Sequence, residues 1–237
     1  GSEMCIRDST TSIDLIHAGL LNGYHRMNPT NSNEGGWPAS EMRQWLQSRY
    51  MSGLPAALSR MLVSVHISSV DYGAGTAGIL ETEDKVYLPS VREMNGNNSE
   101  PFVYCGEQIP WFTSDRTRIK FAGYTLSENP TYTVSSTAPK NPKKGDVWIC
   151  SADSNVGYLW NGHAWVRARW YWLRDASVSN STNFNNVNNT GWAGNNNNAT
   201  NNNGVLPRIQ CLKVTMYKGE NIQRILKERA TIRLQRR

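Results

Sequence analysis

No run in this sequence approaches the roughly 20 apolar residues that a membrane-crossing helix requires, which excludes a helical span. Cysteine is scarce. Cys5, Cys105, Cys150 and Cys211 are far apart, with no Cys-x-x-Cys and no Cys–His pairing at metal-ligand spacing. That excludes the usual zinc and dithiol redox motifs. The thiols read as buried or incidental, and a Cys105–Cys150 disulfide stays open. Also absent are a Gly-rich phosphate loop, a His-Glu-x-x-His helix and a nucleophile elbow. Glycoside hydrolysis needs two facing carboxylates. Glu107 and Glu128 are available, but nothing in the sequence brings them together. His17 and His25 have no carboxylate or cysteine partner nearby and read as structural. The expectation is a non-catalytic protein with no metal and no cofactor.

Charge of one sign is in excess, at +6, but much of the surplus lies after Lys213. Without that tail the body is near neutral, so the basic stripe of a nucleic-acid binder is missing. The apolar fraction is 38% and there are 9 tryptophans, enough for a substantial core because each aromatic buries a large area. The length of 237 residues allows one large or two small domains.

What the chain has in abundance is asparagine. Residues 170–207 read WYWLRDASVSNSTNFNNVNNTGWAGNNNNATNNNGVLP, and about half of residues 180–203 are Asn. Asn carries an amide donor and an amide acceptor and little apolar surface, and it tolerates turns. The expected structure is a surface coil rather than a core element. Trp170, Tyr171 and Trp172 on one side and Val205 and Leu206 on the other read as apolar anchors. Phe184, Val187 and Trp192 are spaced to pin the loop between them. Asp175 is the carboxylate nearest this loop; beside Arg174, it reads as half of an ion pair at the loop root. The candidate ligand-binding residues are Asn180, Asn183, Phe184, Asn185, Asn186, Asn188, Asn189, Trp192, Asn195, Asn196, Asn197, Asn198, Asn201, Asn202 and Asn203.

Elsewhere the pattern is that of a mixed fold. Residues 1–9, GSEMCIRDS, look like the translation of a sequencing-library adapter and are set outside the fold. The natural chain is then expected to continue upstream. Residues 13–21 are a short apolar strand or a single helical piece. Ser40 is placed to cap a helix with Met42, Trp45, Leu46 and Tyr50 on one face, ending at Gly53. Pro55 suits the first turn of a second helix, with Ala57, Leu58, Met61 and Leu62 inward. Val63, Val65 and Ile67 alternate with Ser64, His66 and Ser68, a half-buried strand with His66 on its polar face. A turn at 73–78, a strand at 85–88, a loop at 94–100 and a short helix at 113–119 follow. Residues 135–167 read as an insertion of three aromatic strands, with Asn161-Gly162 as a hairpin turn. Trp148, Trp160 and Trp165 are expected to form its mini-core; a carbohydrate-stacking platform is the alternative. Around this insertion lie residues 10–134 and 168–210 of one domain, then a basic tail at 211–237.

Several of these motifs also carry a resemblance. Trp170-Tyr171-Trp172 with Arg174, the polar loop, and Gly204-Val205-Leu206-Pro207 resemble the C-terminal half of C-type-lectin-fold variable proteins, which retroelements diversify in phages and bacteria. Template adenines are miscopied in that system, so Asn codons are favoured targets. Gly35-Gly36-Trp37, residues 40–43, Trp45-Leu46, Leu54-Pro55 and residues 85–90 with Glu93 are similar to the start of a C-type-lectin-like domain of bacterial surface and phage proteins. Gly145-Asp146-Val147-Trp148 and residues 160–165 resemble small β-motifs of phage structural proteins. The resemblance implies an α+β, C-type-lectin-like fold: short helices on a small, twisted, mostly antiparallel sheet with long loops. It implies a receptor-binding module whose Asn-rich surface is diversifiable, recognising a host-cell surface protein or glycan. It places the protein at a phage tail-fibre tip, as a homotrimer. A fixed-sequence bacterial surface adhesin or structural domain of the same fold is the alternative. Glu128-Asn129-Pro130 and Trp160-Asn161-Gly162 match lectin calcium motifs only in part, and a calcium site wants about six oxygen ligands with carboxylates among them. The formylglycine-generating relatives of this fold use paired cysteines, and no comparable pair is visible.

Overall fold

A computed structural model describes residues 5–8, 12–71, 78–96, 104–126 and 130–212. All of the turn expected at 73–78 except Gly78, residues 97–100 of the loop at 94–100, Glu128 and Asn129, and the basic tail from residue 213 fall outside them. The protein is α+β, with short helices and four small sheets that are almost wholly antiparallel.

The first sheet has the order β1 (Cys5–Asp8), β2 (Ser12–Ile16), β13 (Arg208–Leu212), β5 (Val86–Tyr87). The segment set aside as adapter-derived thus contributes a strand, paired with β2 from Cys5 opposite Ile16 to Asp8 opposite Ile13. β13 is central and crosses the boundary drawn at residue 211, with Cys211 buried. Cys105, Cys150 and Cys211 are free thiols, so the disulfide left open by the sequence does not form.

The helices arise where caps and apolar spacing coincide. In α2 (Glu41–Trp45) the Ser40 side chain accepts a hydrogen bond from the Arg43 amide, satisfying one of the helix's unpaired donors. The helix continues as a π-turn, Leu46–Tyr50. Met42 and Leu46 are fully buried, while Trp45 and Tyr50 pack at the core's margin. α1 (Gly36–Ala39) precedes it, and α3 (Ala56–Met61) follows Pro55. α4 (Val91–Asn95) opens on a Ser90–Glu93 capping box, and α5 (Asp115–Arg118) carries its acid first and its bases last. β3 (Val65–Asp71) and β4 (Gly78–Asp84) form a two-stranded sheet, with His66 exposed between Glu81 and Glu83.

The aromatic insertion is a four-stranded sheet that begins earlier than the sequence suggests: β6 (Tyr132–Ser135), β7 (Val147–Cys150), β8 (Val156–Trp160) and β9 (Trp165–Arg167). β6 runs parallel to β7, and Asn161 caps the β8–β9 turn by accepting from the amides of His163 and Ala164. The expected tryptophan mini-core is corrected. Strand alternation sends Val147, Ile149 and Leu159 inward, onto Ile119, Phe121 and Ala168. Trp148, Tyr158, Trp160 and Trp165 share the opposite face, half-buried and packed ring on ring at 5.0–5.7 Å. The sheet docks closely: a Cβ on Gly157 would lie 2.6 Å from the Ile119 side chain.

Candidate ligand-binding surface

The Asn-rich segment is a sheet, not a coil. β10 (Tyr171–Ala176), β11 (Asn183–Val187) and β12 (Asn195–Asn198) lie side by side in that order. The expectation of a surface coil rather than a core element fails because both faces of β10 and β11 are covered. Trp172, Ala176 and Phe184 join one apolar cluster with Met27, Trp37 and Val205. Tyr171, Leu173 and Val187 join a second, with Met94, Phe112 and Leu206. Tyr171, Trp172, Val205 and Leu206 are completely or almost completely buried, as anchors should be, whereas Trp170 is exposed.

Amides survive in this setting by bonding to each other. Asn195 Nδ2 donates to Asn186 Oδ1 at 2.9 Å, directly across the β11–β12 pair. Asn183 Nδ2 donates to Asn196 Oδ1 at 2.6 Å on the other face, and Asn185 Nδ2 to the Ala176 carbonyl at 3.0 Å. At the ends of β11, Asn180 and Asn188 each accept from the backbone and hydroxyl of a threonine two residues on. These are Asx-turns, the local bond that makes Asn favour turns. Two buried amide nitrogens, Asn186 Nδ2 and Asn203 Nδ2, have no hydrogen-bond partner among the described residues.

The fifteen candidate residues therefore divide. Asn183, Phe184, Asn185, Asn186, Asn189 and Asn203 are buried and support the sheet, so they cannot touch a ligand as expected. Asn180, Asn201, Asn202 and Trp192 are exposed, and Asn188, Asn195, Asn196, Asn197 and Asn198 are half-buried. Trp192, expected to pin the loop, instead stands 51% exposed. Pinning at that turn falls to Gly191, where a Cβ would lie 1.8 Å from the Asp115 carbonyl. Arg118 holds the same turn, donating through Nε to the Gly191 carbonyl at 2.9 Å and through Nη2 to Asp115.

Asn33 holds the opposite end of the ribbon. Its buried amide nitrogen lies 3.2, 2.9 and 2.8 Å from the carbonyls of Ser177, Asn180 and Asn183. The backbone around it runs alongside the ribbon. His25 and Asn203 exchange two backbone bonds, Met27 and Asn28 donate to the Ala199 carbonyl, and Thr200 donates to Asn31. Only the density of Asn in residues 22–33 hinted at this second polar segment.

The root of the ribbon is charged and buried. Arg174 and Asp175 are not paired with each other, as adjacency suggested, because successive strand residues point to opposite faces. Arg174 instead makes a bidentate pair with Glu93, at 2.7 and 2.9 Å, and Arg208 reaches the same carboxylate at 3.0 Å. Burial alone would raise the Glu93 pKa, but the two guanidiniums outweigh it and hold the group at about 2. Asp175 accepts from the amides of Val70 and Val91. There burial outweighs Arg174 and these donors, pushing its pKa up to about 6. Among the described residues no three His, Cys, Asp or Glu converge as a metal-binding group, and no helix is long and apolar enough to cross a membrane.

Fold and site together define an α+β domain that holds an amide-rich ribbon between two apolar clusters. The chain belongs to the DUF6273 family, a domain of unknown function, whose match covers residues 13–214 and so takes in the ribbon and the inserted sheet. No curated protein and no solved structure matches the chain.

Proposed function

We propose that the protein is a non-catalytic, C-type-lectin-like binding module that recognises a host-surface protein or glycan through one edge of its Asn-rich ribbon. The observation that carries this reading is the division within the ribbon. Phe184 and Val187 are wholly buried, while Asn180, Asn188, Asn195, Asn196, Asn197, Asn198, Asn201, Asn202 and Trp192 keep side-chain surface toward solvent. A binding surface works best as adaptable polar groups on a rigid support. Here the support is the two apolar clusters. With asparagine at every position, affinity for any one target is weak, since each exposed amide already bonds to water and gains about 1 kcal/mol net. Diversification of these positions, as in the variable proteins that the motifs resemble, would supply affinity. A trimeric phage tail-fibre tip is the setting that fits such a module.

The test is to sequence many natural copies of the locus. The codons of the solvent-reaching set should vary well beyond those of residues 85–90, and the codons of Asn183, Asn185 and Asn186 should vary less than their exposed neighbours. Equal variation throughout would remove the diversification reading. One observation favours a second reading, a fixed-sequence bacterial surface adhesin. The part-buried amide pairs Asn186–Asn195 and Asn183–Asn196 are specific to asparagine. A reverse transcriptase and a near-identical repeat beside the locus support the first reading; an upstream signal peptide or lipobox supports the second.

A further inference from the structure

We propose that a cleft beside the ribbon binds a single neutral sugar ring. The cleft holds about 250 Å³ and lies between residues 24–26 and α2, closed on its third side by Thr200 and Asn202. Its size is below that of drug-sized ligand pockets, at ~300–1,000 Å³, and suits a small polar molecule. Only Thr200 and Asn202 are shared with the ribbon. The inference therefore does not rest on the ribbon being diversifiable.

Three features select the ligand class. First, the lining combines aromatic surface with polar groups. Tyr24 is 42% exposed and Trp45 is half-buried, with the His25 ring on Trp45 at 3.9 Å. A pyranose ring has one face of C–H groups that an aromatic wall can cover and a rim of hydroxyls that it cannot. Second, the polar groups complement adjacent hydroxyls, each both donor and acceptor. Glu41 offers carboxylate acceptors, Arg26 offers guanidinium donors, and Asn202 offers one of each. The Asn202 side chain makes no hydrogen bond among the described residues. Third, the lining is close to neutral. Arg26 and Glu41, both in the lining, pair at 3.1 Å and cancel. Burial holds the His25 pKa below its ordinary value despite Glu41 nearby, which favours the neutral ring. A net anion or cation gains nothing here that a neutral polyol does not.

The ion pair itself argues for use rather than scaffolding. Both partners are more than 40% exposed, a setting in which such a pair contributes little to stability. The guanidinium of Arg169 lies over the Tyr24 ring at 5.5 Å and helps to hold that aromatic in place.

Saturation-transfer NMR on the full chain tests this, with the methyl glycosides of glucose, galactose, mannose and N-acetylglucosamine at millimolar concentration. Glucosamine and N-acetylneuraminic acid serve as charged controls. At least one neutral glycoside should show transfer, and the charged sugars should show less. Tyr24→Ala, Glu41→Gln and Asn202→Ala should each weaken it at least tenfold with thermal unfolding unchanged, while Val134→Ala, an exposed side chain on β6 remote from cleft and ribbon, should not. The inference is overturned by absence of transfer from every neutral glycoside, by equal transfer from the charged sugars, or by transfer that survives Tyr24→Ala, Glu41→Gln and Asn202→Ala. The codon survey bears only on the ribbon, so the two readings can fail separately.

Discussion

Among single residues, Asp175 and His17 oppose each other, and this gives a measurable pH signature. The Asp175 pKa is raised to about 6, so the folded state holds a proton that the unfolded state has released. Its stability contribution is full below the unfolded carboxylate pKa and is lost as pH rises through 6. His17 hydrogen-bonds to Tyr50, and burial lowers its pKa to about 4. Its contribution is present above the unfolded histidine pKa and is lost as pH falls through 4. Between pH 4.5 and 6 the two slopes cancel, at about 1.4 kcal/mol per pH unit each. Asp175→Asn removes one of them. The variant's stability should then fall as pH drops from 6 to 4.5, by somewhat under about 1.4 kcal/mol per unit, because at the ends of this window the folded and unfolded states differ by less than one full proton on His17. Urea unfolding at several pH values checks it. A variant whose pH slope equals that of the parent would mean that Asp175 is ionised in the fold. None of this was legible from the chain. Arg174 and Asp175 are adjacent in sequence but face opposite ways, and Glu93, the true partner of Arg174, is 81 residues away.

For the elements, the sequence pattern was legible wherever apolar periodicity carried it. Ser40 as a cap, Pro55 before α3, His66 on the polar face of β3 and the Asn161-Gly162 hairpin all follow from local rules. The ribbon was misread because asparagine is a poor strand former in isolation. Here tertiary cover overrides propensity: apolar clusters lie on both sides, cross-strand amides bond to each other, and Asn33 holds the end from 144–150 residues away. The tryptophans of the insertion were misassigned for a related reason. Alternation placed them together on one face, but it could not say which face meets the body. The contrast between Phe184 and Trp192 tests the corrected ribbon. Phe184→Ala empties a wholly buried site and should cost about 3–5 kcal/mol. Trp192→Ala should stay within about 0.5 kcal/mol. Thermal unfolding of the two variants decides it. Similar losses in both would return the ribbon to an exposed loop pinned at Trp192.

Across the whole molecule, the ribbon is closed into the body by segments remote in sequence. β13 lies between β2 and β5, and Arg208 ties β13 to Asp14 on one side and to Glu93 on the other. Just before it, Val205 and Pro207 accept backbone bonds from Leu21 and His17, and Gly204 and Trp172 bond across the return of the ribbon. β10 and β11 thus lie between this closure and the helices, while among the described residues β12 has no strand on its outer side. Local opening follows such differences in cover, since exposed edges open at little cost and doubly covered strands open only with the whole fold. Native-state hydrogen exchange should therefore show the amides of Asn183–Val187 protected to near the global stability, together with those of Tyr171–Ala176. The residues at 192–194 and the outward amides of Asn195–Asn198 should exchange orders of magnitude faster. On the proposed reading the surface is a mobile edge on an immobile base, so substitutions at Asn197 and Asn198 should alter recognition with little effect on unfolding, whereas those at Asn195 and Asn196 also orphan the amides of Asn186 and Asn183. If Asn183–Val187 instead exchanged as fast as free peptide, the base would not exist, and the reading of the ribbon as an ordered display would fall with it.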